Sequence, residues 1–409
     1  MEDTNQENLI ELKEFEHKDL ELDDSEIDYI KKLDKNPIEL GTLPAKKIRL
    51  SATEYVGQVV LPTNRIIKII PKIGDVGFFE LLFYTDDMPK LILDVDSTAK
   101  GGKTLVEVLA KYFVKYIQEI IDIGLYRKYY QFTEQTHTIR GRLLLSQTIR
   151  TPFNVDGKVW CEYNKIGYNV LENQAILYCT IILLNSVKDN ETQNKLLDIR
   201  KTLLSQGIEQ KDIHSYELET YSLHRLNEHY ETGLRICKYI LDDISYKEFS
   251  IHHDMPTFTW LHDMNDLFEK FVTKILRETY EPEFKIRSQK QFPNILDDSE
   301  VKKAPKMKPD NVITRDDDNK LILDTKYKKA GKANSSDFYQ ATSYSLKLGC
   351  DCVLLVPETS KKIENRYKIS GKDLYVYENS IKFPDEKDDV VEILKEQILD
   401  IIEPILKIK

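Results

Sequence analysis

A chain of 409 residues, 41% of them apolar and 31% charged, has the make-up of a folded, water-soluble protein and is long enough for two or three domains. It contains no apolar run of bilayer length, and its opening Met1-Glu2-Asp3-Thr4 is acidic where a secretory signal is basic, so a cytoplasmic setting is expected. The net charge of −10 argues against a nucleic-acid partner only until it is divided along the chain: residues 1–50 hold fourteen acids and eight bases, whereas residues 300–332 hold ten bases and six acids.

In chain order, Ile10, Leu12 and Phe15 are spaced among acids, and a helix is predicted over 25–33 with Ser25 as its N-cap. Strands follow at 47–50, 55–61 and 65–70, the last two joined by the turn Pro62-Thr63-Asn64. Next comes Ser97-Thr98-Ala99-Lys100-Gly101-Gly102-Lys103-Thr104. It ends like a phosphate-binding loop but begins with serine, which lacks the backbone freedom to curl around phosphates, so a flexible basic loop is the better reading. From 105 to 124, Leu105, Val108, Leu109, Tyr112, Phe113, Tyr116, Ile117 and Ile120 recur at helical spacing and Gly124 ends the run.

Residues 126–165 read as shorter strands. There Arg140 and Arg142 flank Gly141; on one strand face they would form a compact anion site for phosphate or a partner, and otherwise they form surface ion pairs. Residues 168–246 read as helical, with apolar stripes at Ile176, Leu177, Thr180, Ile181 and Leu184, at Leu196, Leu197, Ile199, Leu203 and Leu204, and from Leu223 to Leu241. Cys161, Cys179, Cys237, Cys350 and Cys352 are scattered and odd in number, which fits reduced, buried thiols and not a zinc site.

Pro256 and Phe258 introduce the last segment: a helix over 263–279, a strand over 284–292, a hairpin, a helix over 336–348, a strand over 352–356, a hairpin near 366–378 and a helix over 388–403. The central hairpin carries the most informative residues. Asp310 precedes Asn311-Val312-Ile313, Asp324 follows Leu321-Ile322-Leu323, and the polar break 315–320 turns one strand back on the other. Asp310 and Asp324 then lie side by side as oxygen ligands for a divalent cation, Mg2+ being the expected one. Lys326, two residues beyond Asp324, shares its face and can orient an attacking water and offset charge on a phosphate.

Supporting residues surround this pair. Glu269 sits at the edge of the buried stripe of helix 263–279 as a third acid, unless it is a solvated glutamate paired with Thr273 or Lys270. Gln340 and Tyr344 are one turn apart on helix 336–348 and can brace the lysine or contact a phosphate backbone. A basic collar that includes Lys302, Lys303, Lys306, Lys308, Lys328, Lys329 and Lys332 can neutralise phosphates around the acids; Lys308, Lys328 and Lys329 are its closest candidates for DNA or partner contact.

Pro309-Asp310 with Asp324-Thr325-Lys326 resembles the PD-(D/E)xK nuclease signature. Further blocks make the resemblance more specific: Val56-Gly57, Ile70-Pro71-Lys72-Ile73, Ile139-Arg140-Gly141-Arg142-Leu143, Cys161-Glu162-Tyr163, Leu171-Glu172-Asn173-Gln174 and Arg225-Leu226-Asn227-Glu228-His229-Tyr230. Together they resemble the McrC family, the nuclease subunits of McrBC modification-dependent restriction systems, over most of residues 45–360. The resemblance implies double-stranded DNA as substrate, Asp310, Asp324 and the Thr325 backbone carbonyl around Mg2+, and an McrB-like AAA+ ring as partner. That ring hydrolyses GTP, which this chain does not, and recognises modified cytosine. The family's N-terminal part inserts into the ring and stimulates GTP turnover. Thr325 departs from the alanine common in similar chains.

The fold class expected is α+β and multidomain: a β-rich, partner-binding region over 1–100, a largely helical region with short strands over 101–250, and a C-terminal α/β PD-(D/E)xK core with a mixed sheet over 251–409. The competing expectation is a non-catalytic activator of an AAA+ GTPase built on a nuclease-like fold.

Overall fold

The computed structural model describes residues 9–33, 36–44, 47–63, 65–86, 105–151, 157–219, 223–244, 260–293, 306–328, 331–358, 361–384 and 389–407. It is a mixed α/β chain in two compact units, one made of Met1–Leu105 with Trp260–Lys409 and the other of Val106–Thr259. The phosphate-loop-like stretch at 97–104, Pro256, Phe258, Lys302, Lys303 and Lys329 lie outside the described residues.

The first unit opens with β1 (Leu9–Lys13), β2 (His17–Leu20), α1 (Asp24–Lys31), β3 (Ile38–Thr42), β4 (Ile48–Ala52), β5 (Tyr55–Val60), β6 (Ile66–Ile70) and α2 (Gly74–Thr85). The three expected strands are present with ends moved by a residue or two. The cap of α1 is Asp23 and not Ser25: its side chain takes the amide of Glu26 while Glu26 Oε2 accepts from the Asp23 amide at 3.0 Å, a reciprocal pair for which Ser25 is two residues too late. No periodicity announced α2, because Phe78, Phe79, Leu81, Leu82 and Phe83 are all buried and a helix apolar on every side has no stripe. β2, β4 and β3 form an antiparallel sheet, while β1 pairs parallel with β6 and β6 antiparallel with β5. Alternate residues Ile10, Leu12, Val59, Leu61, Ile67 and Ile69 fill the core between these elements.

The second unit contains α3 (Leu105–Ile123), β7 (Lys128–Thr136), β8 (Arg142–Leu143), α4 (Leu145–Arg150), β9 (Val159–Gly167), α5 (Leu171–Ser186), α6 (Asn190–Ser205), α7 (Ser215–Glu219) and α8 (Glu231–Ile244). From Val108 to Ile120 the stripe of α3 is buried as its spacing predicts, and Gly124 ends the helix at φ +123°. Two other stripes are narrower than predicted. Leu197 and Leu204 are exposed on α6, and Leu223 and Leu226 lie exposed ahead of α8, which starts only at Glu231. The helix cannot extend back to them because Asn227 builds a turn, accepting from the His224 amide at 2.8 Å and donating to buried Glu172 at 3.1 Å. Here two sequence blocks meet: Asn173 donates to the carbonyls of Tyr126 and Tyr168, and Tyr230 donates to Asn173 at 2.7 Å. This buried polar network locks helices together.

The chain then supplies β10 (Trp260–Asp263), α9 (Met264–Tyr280), β11 (Lys285–Ser288), β12 (Asn311–Arg315), β13 (Asp318–Thr325), α10 (Ser335–Leu348), β14 (Asp351–Pro357), β15 (Glu364–Lys368), β16 (Tyr375–Ile381) and α11 (Val390–Lys407). β10 pairs antiparallel with β5, so the first and last segments of the chain share the first unit. The six-stranded sheet has the order β11-β12-β13-β14-β16-β15 and is mixed: β13, β14 and β16 run parallel and the outer pairs antiparallel. Asp316 and Asp317, at φ +50° and +65°, form the two-residue turn between β12 and β13, the left-handed pair such a turn requires. Ala341 and Tyr344 of α10 cover the face that bears Val312, Ile322, Cys352, Leu354 and Val376. All five cysteines are free and buried. Among the described residues no helix is long and apolar enough to cross a membrane.

Candidate active site

The hairpin register, Asn311 opposite Leu323, sets Asp310 beside Asp324 at the end of β12 and β13. Leu321, Ile322 and Leu323 are fully buried, and Asp324, continuing the same strand, is only 1% exposed. Its Oδ2 lies 2.7 Å from Lys326 Nζ, on the face that period two predicts. Burial, then the charge of Asp310, pushes the Asp324 carboxyl up to about 6 despite that ammonium. For Lys326, burial works to lower the pKa, but the Asp324 charge and hydrogen bond outweigh it and the net shift is upward, so the amine stays protonated.

Asp310 is half-buried and braced from one side. Its Oδ2 accepts from both the Thr325 amide and the Thr325 hydroxyl, each at 2.8 Å, while Oδ1 faces the Gln289 side-chain amide at 3.5 Å. Glu269 is also drawn in. Thr273, one turn further along α9, donates to Asn311 at 2.9 Å and ties the helix to the start of β12. Lys270 is taken by Asp266 at 2.7 Å, so neither predicted alternative partner holds Glu269. Its carboxylate accepts instead from Gln289, whose amide also lies 3.5 Å from Asp310 Oδ1, and burial followed by the Asp310 charge raises its pKa. Gln289 was not anticipated, because its side chain acts only after the backbone turns left-handed at φ +51°.

Gln340 and Tyr344 are joined as their spacing predicts, with Gln340 Nε2 donating to the Tyr344 hydroxyl at 2.8 Å. Burial, then the charge of Asp324, raises the pKa of that phenol. The predicted basic residues divide. Exposed Lys308 lines an open cleft of about 730 Å³ together with Glu269, Lys270, Lys274, Arg277 and Gln289. Lys328 is clamped by Asp337 at 2.5 and 2.7 Å, where Asp337 also closes the capping box of α10 with Asn334. Arg140 and Arg142 belong to the other unit and do not share a strand face: Gly141 turns at φ +62°, so only Arg142 is in β8. Arg142 is 3.8 Å from Glu162 with its side chain 76% exposed, and Arg140 lies over the Tyr163 ring.

A hard divalent cation suits this oxygen-only donor set, and it would offset both the burial of the Asp324 carboxylate and the repulsion from Asp310. Among the described residues no three acidic, histidine or cysteine side chains close into a ready-made cage, so the set rests on the Asp310–Asp324 pair, with Glu269 linked through Gln289.

Fold and site define an α/β protein whose mixed sheet gathers two carboxylates and a charged lysine at one end. Comparison with known proteins gives this class a family: residues 50–356 match the McrBC 5-methylcytosine restriction system component, and the chain belongs to that family. It is 23% identical over 316 residues to the Type IV methyl-directed restriction enzyme EcoKMcrBC of Escherichia coli K12, covering 73% of this chain and 90% of that protein. A chain of the refined half-complex of Thermococcus gammatolerans McrB AAA+ hexamers with bound McrC superposes with a TM-score of 0.71 at 19% identity, covering 96% of this chain and all of the other. At that identity the likeness is one of fold.

Proposed function

We propose that this chain is the Mg2+-dependent DNA endonuclease subunit of a McrBC-like system, acting with an AAA+ partner whose GTP hydrolysis it stimulates. The observation that carries the reading is the buried Asp324 paired with Lys326 and set beside Asp310. Asp310 Oδ1, Asp324 and the Thr325 carbonyl are the groups that would hold the ion, which when bound supplies Lewis-acid polarisation of a phosphoryl oxygen and acidifies a water. Thr325 holds Asp310 by its other oxygen. Lys326, protonated and anchored on Asp324, donates a hydrogen bond to the incoming water or to a phosphate oxygen; an ammonium whose pKa is raised stabilises charge and is no base. The water oxygen adds to phosphorus, one phosphorus–oxygen ester bond breaks, and the products are a phosphate monoester end and a free hydroxyl. One such site cuts one strand, so a double-strand break needs two copies or two events.

The partner assignment is drawn from the family and from the fold shared with a chain of the Thermococcus complex. The family description and the Escherichia coli relative together point to methylated DNA as substrate. The rival role is a pure activator of the GTPase. In the assembled complex, Asp310→Ala is expected to abolish DNA nicking while GTP turnover stays near the parent rate. Nicking that survives this substitution in full refutes the catalytic role.

A further inference from the structure

Among the described residues, the Gln289 side chain reaches both Glu269 and Asp310, and it is not an acid itself. Gln289 follows directly on β11, where the backbone leaves the strand at φ +51°, a conformation that non-glycine residues keep only when their surroundings hold it. Its backbone and its side chain both hold it. Its amide N–H donates to the Asp310 carbonyl at 2.9 Å, and its Nε2 donates to Glu269 and lies 3.5 Å from Asp310 Oδ1. A carboxamide nitrogen carries two hydrogens, so one group can serve two carboxylates that would otherwise repel each other. Glu269 comes from α9 and Asp310 from the start of β12, so the bridge joins elements that the sheet alone does not align.

We infer that Gln289 is a positioning residue which holds Glu269 against Asp310 and so makes α9 part of the acidic site. This rests on the nuclease reading above. Its role in this reading is to fix the direction in which Asp310 Oδ1 and Glu269 present their oxygens. Residues that orient ligands in this way alter ion affinity by about tenfold or more when removed.

The test uses the full chain with Gln289→Gly, which suits the left-handed backbone but deletes the amide, and Gln289→Asn, which keeps a shorter amide and tolerates the same backbone. Mn2+ binding is measured by electron paramagnetic resonance, thermal midpoint by scanning calorimetry, and nicking against Mg2+ concentration in the assembled complex. For Gln289→Gly the expected result is Mn2+ affinity weakened about tenfold, nicking that needs correspondingly more Mg2+, and a thermal midpoint at or above the parent's, with Gln289→Asn recovering part of the loss. Parent-like Mn2+ affinity and Mg2+ dependence in Gln289→Gly overturn the inference, as does a loss of affinity only in step with a fall in thermal midpoint. If Asp310→Ala is inert while both Gln289 variants behave as the parent, only this inference fails; full nicking by Asp310→Ala removes the nuclease reading itself.

Discussion

Thr325 shows how one side-chain atom adapts the site. An alanine at this position would leave only the backbone amide on Asp310 Oδ2; here a hydroxyl adds a second 2.8 Å bond to the same oxygen. A hydrogen bond to a charged acceptor contributes about 1.5–3 kcal/mol, and the remaining amide limits the loss when it is removed. Thr325→Ala is therefore expected to lower stability by about 1–2 kcal/mol in urea titration and to slow single-turnover nicking by less than about tenfold. A loss as complete as that of Asp310→Ala would show that the hydroxyl belongs to the chemistry itself. The sequence revealed Asp310, Asp324 and Lys326 because strand alternation fixes which side chains share a face. It did not reveal Gln289, whose role depends on a backbone reversal and on an acid from a helix about twenty residues away.

At the level of elements, glycine positions separate close approach from simple turning. An added Cβ at Gly141 would stand 2.4 Å from the Glu162 carbonyl oxygen and 2.8 Å from Tyr163 Cβ, with the backbone at φ +62°. Gly207, at φ +75° behind α6, has nothing within 4 Å. Gly207→Ala should cost about 1 kcal/mol for the left-handed backbone alone, and Gly141→Ala about 3 kcal/mol or more because β8 must also move off β9. Equal thermal midpoints for the two variants would contradict the close packing of β8 on β9. The same contact makes Ile139-Arg140-Gly141-Arg142-Leu143 and Cys161-Glu162-Tyr163 two sides of one strand pair. Amphipathic α3 and α9 were legible from their stripes, whereas α2 was not, since burial on all sides erases the periodic signal.

Across the whole first unit, residues far apart in sequence meet at Glu14. This carboxyl follows β1, is 4% exposed, and accepts from the Lys72 amide at 2.9 Å and from the Tyr327 hydroxyl at 2.7 Å. Tyr327 directly follows Lys326, so the N-terminal sheet is fastened to the strand that carries the site. Burial raises the Glu14 pKa from 4.5 to about 7 against the lowering effect of both hydrogen bonds. A raised carboxyl binds its proton more tightly folded than unfolded. Its contribution to stability is complete below about pH 4.5 and is lost as pH rises through about 7, a change on the order of 3 kcal/mol. Glu14→Gln, which stays neutral, should unfold at higher urea than the parent at pH 8, with the advantage shrinking to nothing near pH 4.5. An advantage independent of pH would mean that the parent carboxyl does not titrate in this range.

By itself the sequence determined what local rules govern: the strand and helix periods, the polar break at 315–320 that the structure narrows to a two-residue turn, and the side chains that alternation places on one face, Asp324 and Lys326 among them. Packing between distant segments decided the rest. It paired β10 with β5, drew Glu269 to Asp310 through Gln289, and set Glu14 on Tyr327. Each of those contacts joins groups whose separation along the chain exceeds any helical or strand repeat, so no pattern of neighbouring residues encodes it and only the closed core brings it about.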